Sequence, residues 1–218
     1  MKEKLPTVFI VDDDAGVRSS IRLLLRSVGI AATPLASAQE FLAAFDPEQP
    51  GCLVLDIRMP GMSGMELQQA LNLRGAILPV IFITGHGDVP MAVEAMQHGA
   101  FDFLQKPFRD QDLIDRVQKA LARDRENRGA LQKHDEIRAR LEALTPRERE
   151  VLELMVQGRQ NKVMAAELGL SQRTVEIHRA HVMEKMGANS VAQLVRMVMD
   201  TREPSARLRA VSPSPAAD

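Results

Sequence analysis

Tryptophan and tyrosine are absent from this 218-residue chain, and its only aromatic side chains are seven phenylalanines. Reading single-stranded nucleic acid by stacking needs aromatic platforms, so that class of function is disfavoured. There is one cysteine, Cys52. A disulfide framework and a thiolate metal cluster are both excluded within one chain. Cys52 lies in an apolar run and reads as a small core residue. No apolar run is long enough to suggest a membrane span, and no signal-peptide pattern precedes the first strand. A cytoplasmic protein with no membrane partner is the expectation. Neither sign of charge is in excess, the net being −1, but the charge is uneven along the chain: the net is −4 over residues 1–122 and +2 over 123–203. This fits an acidic front and a mildly basic back, an asymmetry too small to establish nucleic-acid binding.

What the chain has is alternation. Residues 7–11 form a β-branched run that ends in Asp12-Asp13-Asp14. Residues 15–28 carry Val17, Ile21, Leu24, Leu25 and Val28 at helical spacing. A weak strand follows at 31–35, then a helix to about Phe45, capped by Ser37 with Glu40 completing a capping box. The apolar run Cys52-Leu53-Val54-Leu55 stops abruptly at Asp56, with Pro60 and Gly61 close behind. It reads as a buried parallel-type strand. Ser63-Gly64 opens a helix, 79–83 is a strand ending at Thr84-Gly85, 88–98 is helical, 101–104 is a fifth strand, and a helix runs from Asp110 to about Arg123. Strands alternating with helices predict an α/β fold, a doubly wound five-stranded parallel sheet of the flavodoxin-like kind with right-handed crossovers.

From residue 141 the pattern is helical throughout. Thr145 caps a helix with Pro146 at its first position and Glu148 at the capping-box position. Two further helices, 161–168 and 172–186, are joined by Gly169-Leu170-Ser171, and a fourth covers 190–200. Helices joined by a Gly-containing three-residue turn predict a small all-α, four-helix helix-turn-helix domain. The domain reading is 1–123, a partly helical linker 124–140, a helical domain 141–202, and a disordered Pro/Ser/Ala-rich tail 203–218. Leu131, Ile137, Leu141 and Leu144 leave two options for the linker, a coiled-coil seam or a solvated tether.

Chemistry belongs at the carboxyl ends of strands in open α/β sheets. There the sequence places Asp12, Asp13, Asp56, Thr84 and Lys106. Clustered carboxylates call for a cation, and hard oxygen donors with open positions suit Mg²⁺. A carboxylate is also a competent nucleophile at phosphorus. Taken singly, Asp56 is an ordinary strand-end cap, the aspartate run a helix N-terminal cluster, and Lys106 a surface lysine. Their coincidence at successive strand ends favours phosphoryl chemistry.

The acidic pair Asp12-Asp13, Asp56 followed by Met59-Pro60 and Gly64, Thr84-Gly85, and Lys106-Pro107 resemble a response-regulator receiver domain. The stretch from Thr84 to Met96, with Asp56-Ile57-Arg58-Met59-Pro60, resembles the FixJ group in particular. The resemblance implies phosphorylation on Asp56, with Lys106 pairing the phosphate and Thr84 with Phe103 acting as the switch pair. It implies Mg²⁺ held by Asp13, Asp56 and the Arg58 backbone carbonyl, with Asp12 helping through water. It also implies a dimer made through the fourth helix and fifth strand, with Val93 and Gln97 exposed on that face.

On the third helix of the back half, Val175, Val182 and Met186 share one stripe that should pack inward. Arg173, Ile177, Ala180 and Glu184 lie opposite, flanked by Glu176 and His181. Small and polar residues facing outward suit a helix entering a major groove. Thr174, His178, Arg179 and Lys185 lie nearer the flanks, where they would hold phosphates. The run from Leu144 to Leu152, with Gly158, Asn161-Lys162, Ala165, Leu168, Ser171, Thr174-Val175, His178, Val182-Met183 and Lys185, resembles the LuxR-type helix-turn-helix module. By that resemblance Glu176, Ile177 and Ala180 face bases.

Together these imply a two-component transcriptional regulator and not an enzyme acting on an external substrate. Its partners would be a sensor histidine kinase, double-stranded promoter DNA, RNA polymerase and a second copy of itself when phosphorylated. Two alternatives stand beside it. One is a phosphotransferase or phosphatase working through an aspartyl phosphate, against which Arg58 counts, since that chemistry wants a carboxylic acid two residues past the nucleophile. The other is a receiver whose helical module binds protein or RNA.

Overall fold

The computed structural model describes residues 4–85 and 89–202, so the tail expected at 203–218 lies outside the described residues. The chain divides into two compact units between Arg128 and Gly129. The first begins with β1 (Thr7–Val11), α1 (Ala15–Ser27), β2 (Ala32–Leu35), α2 (Ala38–Ala44) and β3 (Gly51–Asp56). It continues with α3 (Gly64–Leu73), β4 (Val80–Thr84), α4 (Val89–Gln97), β5 (Asp102–Gln105) and α5 (Asp110–Glu142). The strands form one parallel sheet in the order β2-β1-β3-β4-β5. This is the doubly wound, flavodoxin-like arrangement expected from the alternation.

Both faces of the sheet are covered, which is why its strands read as continuous apolar runs. Phe9, Val11, Leu53, Leu55 and Phe82 point to one face and meet Phe41, Leu67 and Leu71 of α2 and α3. Val8, Ile10, Cys52, Val54, Ile81 and Ile83 point to the other and meet Ile21, Leu25, Leu113 and Val117 of α1 and α5. Cys52 is fully buried, as expected. At α2 the cap is Ser37, which accepts from the Glu40 N–H, but Glu40 turns its carboxylate to the Ala36 N–H at 2.6 Å. The box is thus closed one residue earlier than its spacing predicts.

The largest departure is α5. The sequence predicts a helix to about Arg123 and a partly helical linker over 124–140; the helix runs unbroken to Glu142. Polarity was the signal for a linker, yet it shows only that the stretch has no core of its own. Residues 124–142 contain no proline, and they pair Asp124 with Arg128 and Arg138 with Glu142 one turn apart. Such pairs stabilise exposed helix, against about 1 kcal/mol lost at Gly129. The beginning of this stretch is docked on its own unit: Asp124 is buried, and its Oδ2 accepts from the Gly51 N–H and from Arg128 Nε, both at 2.9 Å. Arg128 also donates to the carbonyls of Pro47 and Gln49.

The second unit holds the end of α5 with α6 (Pro146–Val156), α7 (Asn161–Leu168), α8 (Gln172–Met186) and α9 (Val191–Arg202). Val151, Met155, Met164, Val175, Val182 and Leu194 make its core. Ile137 and Leu141 pack on that core and Leu144 is inside it. For these three residues the seam is resolved as packing within the helical unit.

Candidate functional site

The site forms at the carboxyl edge of the sheet, between the strands where the winding direction reverses. Val11 pairs with Leu55 and Asp56 with Ile83, so Asp12 and Asp56 emerge side by side on β1 and β3. Lys106, one residue past β5, reaches across them. Its Nζ lies 2.9 Å from Asp12 Oδ2 and 2.9 Å from Asp56 Oδ1. The remaining oxygens are held by backbone: Asp14 N–H donates to Asp12 Oδ1 and Arg58 N–H to Asp56 Oδ2, each at 2.8 Å. Arg18 donates to the Asp12 carbonyl at 2.7 Å. Lys106 is itself located by its N–H, which donates to the Thr84 carbonyl at 2.7 Å.

Gly64 explains how the chain after Asp56 turns back so tightly. A Cβ at Gly64 would meet the Asp56 carbonyl and the Leu55 and Phe82 side chains. With no side chain there, the Gly64 N–H donates to the Ile57 carbonyl at 2.9 Å, and α3 starts against the end of β3.

Asp12 is 2% exposed and Asp56 9%. Burial pushes the Asp56 carboxyl above the ordinary range, against the pull of the Lys106 ammonium, while the neighbouring Asp12 charge adds to the rise. Burial works the other way on Lys106, but its bonds to Asp56 and Asp12 and their charges prevail and hold the ammonium above its usual value. The Thr84 hydroxyl is buried and has no hydrogen-bond partner among the described residues. A buried unpaired hydroxyl costs about 1–3 kcal/mol, which makes it a donor in want of an acceptor.

The structure thus brings together Asp12, Asp56 and Lys106, with Thr84 on the adjacent strand end. Asp13 is exposed, one residue beyond Asp12. The aspartate run has divided labour: Asp14 is the N-cap of α1, accepting from Gly16 and Val17. Phe103 is partly buried and packs on the α2–α3 side of the sheet. Among the described residues no three acidic, histidine or cysteine side chains converge as a metal cluster. Two carboxylates close enough to share the Lys106 ammonium are nonetheless oxygen donors that fit Mg²⁺, which takes one or two carboxylates and keeps several waters.

In the second unit α8 presents the faces that its spacing predicts. Val175, Val182 and Met186 are fully buried. Arg173, Glu176, Ile177 and Ala180 are exposed; Thr174, His178 and Arg179 are half-buried. Ser171 caps the helix through the Thr174 N–H, and the two hydroxyls are 2.8 Å apart. Asn161 of α7 donates to Glu176 at 3.4 Å, so that carboxylate is shared with the preceding helix. Lys185, on the flank where phosphate contacts are expected, has a protein partner. Its Nζ is turned onto the buried carboxylate of Glu148, 2.7 Å from Oε2. The buried acid attracts it more strongly than the solvated flank does, because a charge-assisted bond gains strength away from water. Glu148 was legible as a capping residue; its second partner, 37 residues on, carries no local signal.

Residues 8–118 match the family model of the response regulator receiver domain. Residues 142–198 match that of bacterial regulatory proteins, luxR family. The chain is similar to nodulation protein W of Bradyrhizobium diazoefficiens, 50% identical over 190 residues that cover 87% of this chain and 84% of that protein. It is 51% identical to the transcriptional regulatory protein FixJ of Azorhizobium caulinodans over 199 residues, 91% of this chain and 94% of that one. Among solved structures, the response regulator StyR matches with a TM-score of 0.81 and 47% identity, covering 89% of this chain and 98% of that one. Full-length FixJ from B. japonicum matches with a TM-score of 0.57 and 42% identity, covering 92% and 98%.

Proposed function

The chain belongs to the response regulators of the FixJ type, a receiver domain followed by a LuxR-type helix-turn-helix domain, and from that membership we propose that Asp56 is its phosphoacceptor. The observation that carries this reading is the Lys106 ammonium, which bridges Asp12 and Asp56 at 2.9 Å each. A cation fixed between two carboxylates is placed to pair with a phosphoryl group on one of them. An Asp56 oxygen attacks the phosphorus of a phosphohistidine on a sensor kinase. The new O–P bond makes an acyl phosphate, and the electron pair of the broken P–N bond leaves with the imidazole. Lys106 then pairs with the phosphoryl oxygens, and the Thr84 hydroxyl donates to one of them. Asp13, Asp56 and the Arg58 carbonyl would hold Mg²⁺, with Asp12 helping through water, and the ion would supply charge neutralisation at the phosphoryl oxygens.

Movement of Thr84 toward the phosphate leaves room for Phe103 to turn inward and alters the α4–β5 face. Dimerisation through that face, with Val93 and Gln97 in it, presents two α8 helices to a two-fold promoter site, and RNA polymerase is the partner beyond it. A DNA target accords with a cytoplasmic location. Arg58 two residues past Asp56 supports a regulator over a phosphatase acting on external substrate, because no acid stands there to protonate a leaving group.

Acetyl phosphate with Mg²⁺ is expected to add one phosphoryl group to Asp56, detected by peptide mass spectrometry. Asp56→Asn is expected to abolish the adduct and the phosphodonor-dependent gain in dimerisation and in binding to duplex DNA. A variant that still responds to phosphodonor would refute the assignment.

A further inference from the structure

Two charged contacts reach the C-terminal end of α8 from the corner where α5 passes into α6. Arg140, in the last turn of α5, donates from Nη1 to the carbonyl of Met186, the last residue of α8, at 2.9 Å. Lys185 is held 2.7 Å from Glu148 Oε2. That same oxygen accepts the Thr145 N–H at 2.8 Å, so the acid is fixed by the start of α6. Gly187 ends α8 in the left-handed conformation, φ 63°, and a side chain there would collide with the Arg140 guanidinium. A carbonyl left open at a helix end needs a donor, and a cation there is favoured by the helix dipole. Here both come from α5.

We propose that Arg140 and Lys185 are positioning residues for sequence-specific DNA recognition, which set the tilt of α8 and do not touch DNA. The proposal rests on the reading of α8 as a groove-binding helix. Arg173 stands 13 residues before Met186. At 1.5 Å per residue that is about 20 Å from the anchored end. A tilt of about 5° at the anchor displaces such a residue by ~1.7 Å, more than a base-edge hydrogen bond tolerates. Non-specific attraction to phosphates does not depend on the tilt to that degree.

The test uses the full chain with phosphodonor and a duplex selected from a random pool by the unaltered protein. Affinity for that duplex and for a scrambled one is measured over a range of salt. Arg140→Met and Lys185→Met are each expected to lower specific affinity roughly tenfold relative to scrambled duplex. The salt slope should stay unchanged, because neither residue neutralises a phosphate. Arg140→Lys, which keeps a cation at the helix end, should recover part of the loss. Arg179→Ala is the contrast, a flank cation whose loss flattens the slope by about one. A slope that falls by about one for Lys185→Met makes it a phosphate contact and overturns the proposal. So does wild-type specificity in the Arg140 and Lys185 variants. Thermal melts identify any variant that fails to fold; the Arg140→Met and Arg140→Lys pair then decides. Absence of any preferred duplex for the unaltered protein would instead remove the DNA reading on which the proposal stands.

Discussion

At Glu148 two structural requirements meet in one carboxylate. It completes the capping box with Thr145 and receives Lys185 from α8, and it is 4% exposed. The Lys185 bond, with the Thr145 N–H behind it, holds its acid well down, to about 2, against burial, which acts the other way. A folded-state value below the unfolded one means stability that is complete above the ordinary glutamate range, near 4.5, and is lost as pH falls toward about 2. Glu148→Gln is expected to cost about 1–3 kcal/mol at neutral pH through the weakened cap and the lost charged bond. Urea melts of the helical unit from pH 7 to pH 3 should show that difference constant above about pH 5 and shrinking below it. A difference that grows on acidification would contradict the role assigned to Glu148.

Among the elements, α5 departs most from its sequence reading. Asp124 and Arg128, in the stretch whose polarity predicts a partly helical linker, fasten the helix to the start of β3 and to the chain before it. Burial pushes the Asp124 carboxyl up, with the Arg128 and Gly51 bonds opposing, so the acid is retained for its geometry at some electrostatic cost. Asp124→Ala strands the Gly51 N–H at a fully covered position and is expected to lower the stability of the first unit by about 1–3 kcal/mol. Asp124→Asn, which keeps an acceptor, should cost less than about 1 kcal/mol. The urea midpoint at constant slope measures both. Equal losses in the two variants would show that the hydrogen bond to Gly51 is not what matters.

For the whole molecule, the proposed output is a change of oligomeric state. Val93 is 49% exposed on α4 and Gln97 is exposed one turn later. An apolar residue of that size left in solvent on the proposed face suits an interface formed on demand. Val93→Glu places a desolvated charge there. It is expected to weaken the phosphorylated dimer by at least tenfold in sedimentation equilibrium while Asp56 is still phosphorylated at the wild-type rate. Loss of phosphorylation in the same variant would mean that Val93 serves the site and not the interface.

Periodicity and spacing determined much of this protein. Alternating strands and helices specified the parallel sheet, because buried strands read as apolar runs and amphipathic helices as stripes. Strand-end chemistry points to Asp12, Asp13, Asp56, Thr84 and Lys106, since those positions follow from where each run stops. The caps at Ser37, Ser63 and Thr145 are local, spanning three residues each. The buried stripe of α8 needed only 100° per residue. Tertiary structure decided what joins residues far apart: Lys106 across Asp12 and Asp56, Lys185 onto Glu148, Arg140 onto Met186, and Asp124 onto Gly51. Each is a polar side chain whose partner is chosen by proximity after folding, and no local pattern encodes it. The same holds for α5, whose polar run has enough helix propensity to continue and whose anchors lie at the start of β3 and in the chain before it.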